Sequence, residues 1–288
     1  MSTSIELPIA VVRALERHET QAHAIGGREL VDQGDALVLI DPADPDPFWN
    51  RMTSVRWPSD PAAFDRRLGD AITFFATRDR RAHVWPTVTG DEPPDLVARL
   101  VANGFVDTGR GLLMARDTAA PLPDAPGPAN VELDLVRAGA ERPVLAAVAR
   151  VLAEAFSSHG ETDADEDRRG EADIEATADA VTADLARVVD DPRVTFVLAR
   201  VDGIPAAVAK VTGGSGLAYL SSIGTRPAFR GRGLAALVTR AAVLEGRLGG
   251  GTLAYLGVFE GNVRAVALYA RLGFTIVGRP VPDLVLVG

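Results

Sequence analysis

Cysteine is absent from all 288 residues, and with it go disulfide frameworks, thiolate zinc sites, iron–sulfur clusters and any cysteine acyl-enzyme. Histidine is scarce as well: His18, His23, His83 and His159 fall at no HxH or HxxxH spacing, so no metal centre is expected. Positive charge is in deficit, with 30 Lys plus Arg against 39 Asp plus Glu and a net charge of −9. A chain of that sign is poorly suited to phosphate backbones or anionic lipid, so neither nucleic acid nor a membrane surface is an expected partner. No apolar run reaches the ~18 residues of a membrane-spanning helix, and the N-terminus has no basic segment followed by an apolar one. The expectation is a soluble, cytoplasmic protein.

What the chain does have is apolar residues, 47% of the total, with 24% charged, enough to bury one large core or two ordinary ones. Four prolines and a glycine crowd the stretch DTAAPLPDAPGPAN, which favours extended, non-helical backbone. It divides the chain into residues 1–117 and 130–288, with 118–129 as a linker. The halves repeat each other at a constant separation of 169 positions. Gly104-Phe105 with Gly109-Arg110 matches Gly273-Phe274 with Gly278-Arg279, and Pro58 matches Pro227 in the same ungapped register, which points to an internal duplication.

Periodicity in the second half predicts a strand from Val131, helices over Arg142–Phe156 and from about Ile174 to Val189, and three strand runs separated by glycine turns. A helix from about Arg232 to Arg247, the strand TLAYLGVF, a helix from about Asn262 to Leu272 and the strand-like FTIVG and LVLV follow. This order describes an α/β chain, a mixed sheet with helices on its faces. The first half shows the later part of it: a helix near Ala62 to Ala76, a strand at AHVWPTV, a helix at PDLVARLVANG and a strand at GRGLLMA.

The most specific local pattern is SSIGTRPAFRGRGLAALVTRAA. A strand ends near Thr225, Pro227 breaks it, and Gly231 and Gly233 stand where a helix begins, so free backbone N–H groups there suit a phosphate or pyrophosphate. Arg230 and Arg232 add positive charge; the plainer reading is a tight turn with solvated arginines. The Walker pattern fails for want of Gly-Lys-Ser/Thr. Gly231, Gly233 and Ala236 satisfy the dinucleotide pattern GxGxxA, but only 28 residues follow Glu260, too few for the rest of such a sheet.

RPAFRGRGLA resembles the acetyl-CoA loop of the GNAT superfamily of N-acetyltransferases, with Arg230, Gly233 and Ala235 at the defined positions of Gln/Arg-x-x-Gly-x-Gly/Ala. NVRAVALYARLGF is similar to the next signature of that family, with Asn262, Ala265, Leu268, Tyr269, Gly273 and Phe274 at its spacing. The resemblance covers about residues 130 to 288. It implies a GNAT-like fold in each half, a mixed, mostly antiparallel sheet flanked by helices, with the first half degenerate. It implies a bulged strand before the loop that splays from the next, backbone contacts from Ile223 and Thr225 to the pantetheine arm, and contacts from Gly231, Arg232, Gly233, Leu234 and Ala235 to the pyrophosphate. It further implies acetyl transfer to a primary amine, a small molecule or a peptide N-terminus, by direct attack in a ternary complex with acetyl-CoA as co-substrate.

Under that resemblance Tyr269 is the candidate acid for the departing thiolate, against the alternative that its ring only packs on the helix's buried face. Asn262 is expected to cap the last helix, bond the cofactor arm, or do both. Many relatives carry an acid on the strand before the loop, whereas this one reads LAYLSSIGT. Glu260, Glu154 and a water chain are the remaining candidates for the base, and a non-catalytic acyl-CoA-binding or regulatory protein is the alternative function. Ten acids between Glu161 and Asp184 face only Arg168 and Arg169, which reads either as a solvated face or as steering for a cationic acceptor. In the first half, Phe64 stands opposite Gly233, where its ring would fill the space a phosphate needs, so no cofactor is expected in residues 1–117. Trp57 and Trp85 are expected on or near strands, packing a core or flooring an acceptor cleft.

Overall fold

The computed structural model describes residues 4–88, 90–125, 127–156 and 171–287, with the backbone alone for 171–173. Part of the acidic stretch, from Glu161 to Asp167, lies outside the described residues. The chain forms two compact units. One comprises Met1–Ala115, Gly257–Ala270 and Phe274–Gly288; the other comprises Arg116–Leu256 and Arg271–Gly273.

In chain order the first part runs β1 (Ser4–Ile5), α1 (Ile9–Ala24), β2 (Glu29–Asp32), β3 (Leu37–Ile40), β4 (Arg51–Thr53), α2 (Pro61–Ala76), β5 (His83–Val84), α3 (Leu96–Ala102) and β6 (Phe105–Asp117). Next come β7 (Val131–Val136), α4 (Arg142–Phe156), α5 (Glu171–Val189), β8 (Val194–Val201), β9 (Ile204–Gly214) and β10 (Leu217–Thr225). The chain then continues through α6 (Leu234–Leu248), β11 (Leu253–Phe259), α7 (Val263–Arg271) and β12 (Thr275–Leu286).

The sheet of the first unit runs β2-β3-β4-β5-β12-β6, with β1 parallel to β12. Its pairs are antiparallel except β4 with β5 and β1 with β12. FTIVG and LVLV prove to be the two ends of one irregular strand, β12, whose register against β6 shifts between Val277 and Val281 and again between Pro282 and Leu284. The core gathers Val38, Met52, Trp57, Phe64, Phe75 and Leu100 with Leu284 of β12. Trp57 is therefore a core residue. Sequence periodicity missed the 16-residue helix α1, and it missed β2 to β4 because strands of three or four residues give no alternation to read.

In the second unit β7, β8, β9 and β10 form an antiparallel meander, and β11 adds parallel to β10. Two glycines report how tightly helices lie on this sheet. A Cβ at Gly224 of β10 would stand 2.7 Å from the Ala155 Cβ of α4, and one at Gly246 of α6 would stand 2.5 Å from the Ala218 Cβ and 3.4 Å from Val211. Gly224 pairs with Val208, so Val208 faces α4, while Val211, at odd separation on the same strand, faces α6. The sheet is thus covered on both faces, α4 meeting the C-terminal end of β10. Buried Leu234, Val238, Ala242 and Gly246 recur every four residues along α6 and make that contact. Among the described residues, no helix is long and apolar enough to cross a membrane.

Candidate functional site

Between Ser221 and Gly224 the register of β10 against β9 slips: three steps along β10 match two along β9, from Lys210 to Val208. One residue is extra, a β-bulge, and Ser222 absorbs it with φ of +52°. On the other edge, the ladder from β10 to β11 comprises Leu217, Ala218 and Tyr219 opposite Leu253, Ala254 and Tyr255. From Leu220 to Thr225 that edge of β10 carries no strand pairing among the described residues. The hydroxyls of Ser221 and Thr225 are buried there without a hydrogen-bond partner. The stretch therefore offers polar groups to something other than the sheet.

The chain then turns sharply. The Arg226 N–H donates to the Ala206 carbonyl at 2.9 Å, Pro227–Phe229 forms a 3₁₀ turn, and the Arg230 N–H donates to the Pro227 carbonyl at 3.2 Å. Gly231 has φ of +77° with open space where a Cβ would stand. Gly233 is the N-cap of α6 at φ of +80°, and no side chain caps the helix. A helix start leaves its first N–H groups without intrahelical partners, and here they open beside two glycines on the positive end of the helix dipole. Arg230 and Arg232 are exposed at the same place, and Leu234, 1% exposed, anchors the helix beneath them. The Arg232 guanidinium lies 5.2 Å from the centre of the Phe229 ring.

Beside this turn, Glu154 of α4 receives Arg226 as a two-pronged pair, Nε to Oε2 at 2.7 Å and Nη2 to Oε1 at 2.9 Å, and Arg150 donates to Oε1 at 2.6 Å. Burial alone would raise the Glu154 carboxyl, but the hydrogen bonds and charges of Arg226 and Arg150 outweigh it and hold it below its ordinary range. A carboxylate so engaged is a weak proton acceptor, which argues against Glu154 as the base.

Ile223, Thr225 and Arg230 through Ala235 lie together in the second unit, whereas Glu260, Asn262, Ala265 and Tyr269 lie in the first. Asn262 caps α7, its Oδ1 accepting the Ala265 N–H at 3.1 Å. Tyr269 is the buried residue of that helix, its ring edge-on to Phe274 with centroids 6.0 Å apart, and burial pushes its phenol up to about 12. The phenol is consequently protonated throughout the neutral range. Glu260 is exposed, and its N–H donates to the Arg110 carbonyl at 2.8 Å. Sequence reasoning passed over Arg226 and Gly224. The signals were there in Arg226 immediately before Pro227 and in a glycine next to the strand's end, but their meaning depends on α4.

Residues 151–274 match the model of the acetyltransferase (GNAT) family. Among solved structures, a GCN5-related N-acetyltransferase from Kribbella flavida is 24% identical with a TM-score of 0.70, covering 98% of this chain and 97% of its own. A functionally unknown conserved protein from Staphylococcus epidermidis is 12% identical with a TM-score of 0.64, covering 91% and 96%. A tandem GNAT protein from the clavulanic acid biosynthesis pathway is 16% identical with a TM-score of 0.58, covering 87% and 77%. Comparison with curated proteins returns no match. Residues 151–274 thus resemble the acetyltransferase (GNAT) family, and the chain as a whole shares the fold of these solved structures, a tandem GNAT protein among them.

Proposed function

We propose that the protein is an acetyl-CoA-dependent N-acetyltransferase that transfers the acetyl group directly to a primary amine. The observation that carries this reading is the uncapped start of α6, with Gly231 and Gly233 in the left-handed region and no side chain occupying its N–H groups, directly after a bulged and half-unpaired strand. These features fit a long ligand that carries a pyrophosphate at one end and amide groups along an extended arm. In the proposal, the N–H groups from Gly231 to Ala235, with Arg230 and Arg232, hold the pyrophosphate, and the exposed backbone of β10 around Ile223 and Thr225 pairs with the arm. Asn262 and Ala265 contribute further cofactor contacts, as their motif implies.

Acetyl-CoA supplies the acyl group as a thioester. The amine nitrogen attacks its carbonyl carbon, the C–S bond breaks, the nitrogen gives up a proton to solvent or to Glu260, and the thiolate takes one from Tyr269. A strand N–H freed by the bulge stabilises the charge developing on the carbonyl oxygen. At neutral pH the Tyr269 hydroxyl carries the proton that the thiolate takes up. The acceptor class is a small-molecule amine or a peptide N-terminus.

The test is calorimetry with acetyl-CoA on the intact protein and on Arg232→Glu combined with Gly233→Phe, followed by a thiol-release screen over amine classes. One-to-one binding lost in the double variant, with thiol release by the parent, is the expected result. Binding without release from any amine would favour an acyl-CoA-binding or regulatory protein, a reading consistent with the lack of an acid on β10. No binding by the intact protein overturns both.

A further inference from the structure

Arg226 stands at the joint where β10 ends and the glycine turn begins, and it is bonded in three directions. Its backbone N–H and its Nη1 hold the start of β9, donating to the Ala206 carbonyl at 2.9 Å and the Pro205 carbonyl at 2.8 Å. Its Nε and Nη2 grip both oxygens of Glu154 on the last turn of α4. The same turn of α4 presses on the bulge, since Ala155 and Phe156 leave no room for a Cβ at Gly224. The pair is largely buried, its side chains 12% and 18% exposed.

A pair of this kind is a poor means of adding stability, because taking both charges out of water cancels most of the attraction between them. What a two-pronged arginine–carboxylate pair does supply is direction: it fixes the plane and the angle of the guanidinium. Here that angle sets how the backbone leaves β10 for Pro227, and so where the amides five to nine residues later are presented. Arg150, one helical turn before Glu154, donates to the same Oε1 that Arg226 Nη2 engages.

We propose that Glu154 and Arg226 act as a positioning pair that fixes the start of α6 in its ligand-binding geometry by tying the glycine turn to α4. The proposal rests on the acetyl-CoA reading given above. Neither residue touches the reacting atoms, and Glu154 serves as an anchor instead of as the base.

The experiment measures acetyl-CoA affinity by calorimetry, and kcat and KM by thiol release, for the full chain and for Glu154→Gln, Arg226→Gln, the double variant and Arg226→Lys. Circular dichroism and melting of each establish that it is folded. The expected result is an acetyl-CoA Kd raised ~10-fold in each Gln variant with kcat at saturation within ~2-fold, since positioning alters binding before chemistry. The double variant should be no worse than either single one, because both cut the same link. Arg226→Lys, which keeps the charge and loses the fork, should raise Kd by ~3-fold, and it carries the test if a Gln variant does not fold. Unchanged Kd in folded variants overturns the proposal, as does a multiplicative effect in the double variant. Loss of the acidic limb of the kcat/KM pH profile in Glu154→Gln at unchanged Kd overturns it too, by making Glu154 the base. If the parent chain fails to bind acetyl-CoA, the acetyl-CoA reading and this pair's role fall together, whereas a parent that binds normally isolates the failure to the pair.

Discussion

The starts of α2 and α6 occupy related places in the two halves of the sequence, and the chain finishes them in opposite ways. At α2, Asp60 accepts the Ala63 N–H at 2.8 Å, Pro61 opens the helix without an N–H to satisfy, and Phe64, 1% exposed, turns its ring into the core against Trp57. At α6 no side chain caps the helix, and two glycines in the left-handed region keep its approach clear. At the separation of 169, Leu234 corresponds to Asp65, so α2 also starts four residues earlier than its counterpart. A helix start can be closed by the protein itself or left open for a ligand. Closing it lets Phe64, in the first turn, join the core, and leaving it open reserves the amides for something that arrives later.

Two substitutions should break this contrast most sharply. Phe64→Ala removes a fully buried ring from the core of the first unit, and the expected loss of stability is ~3–5 kcal/mol in denaturant unfolding, with acetyl-CoA affinity unchanged in the fraction that stays folded. Gly233→Phe is the reverse experiment. It forces a side chain into φ of +80° at an exposed position, and acetyl-CoA Kd measured by calorimetry should rise at least ~100-fold, with only a modest loss of stability. An equal effect of both on stability, and none on binding, would mean that the α6 start is as closed as that of α2.

Much of this was readable from sequence where the pattern was long or punctuated. Helix α4 has the bounds that periodicity predicts, and α6 starts two residues later than predicted, because Gly233, its N-cap, is in the left-handed region and the first helical residue is Leu234. Glycine, proline and arginine around position 230 announced a sharp turn into a helix start, and the chain makes that turn at Pro227–Phe229 with Gly233 as the N-cap. What stayed hidden was tertiary. That Glu154 spends its charge on Arg226 depends on α4 crossing the end of β10, and nothing in a run of alanines and valines fixes that crossing. Likewise β12 reads as two fragments because its register slips twice against β6, so neither end shows a sustained alternation.

Two buried glutamates extend the comparison to pH. Burial, then the neighbouring charges of Asp91 and Glu19, push Glu16 in the first unit up to about 9, against hydrogen bonds from the Val88 N–H and the Thr87 hydroxyl. The folded chain thus keeps a proton that the unfolded chain releases from about pH 4.5 upward. Its contribution to stability is whole below that pH and is lost as pH rises toward 9. Glu154 in the second unit has the opposite sign. Its carboxyl is held below the ordinary range, so its contribution is present above the unfolded value and lost as pH falls through the folded one. Glu16→Gln should therefore raise the melting temperature at pH 9 by about 3 °C and change it little at pH 5, as read by calorimetric scans. A shift that is the same at both pH values would show that Glu16 is not protonated in the folded state.

The smallest expected effect bears most directly on how α2 is closed. Asp60→Ala removes the carboxylate that satisfies the Ala63 N–H, and loss of an N-cap of this type costs ~1 kcal/mol. Asp60→Asn, which keeps an accepting oxygen, should recover most of that stability. If Asp60→Ala instead left unfolding unchanged, the packing of Phe64 alone would hold the helix start in place, and the contrast between α2 and α6 would lie in the ring that fills one space and the glycine that leaves the other empty.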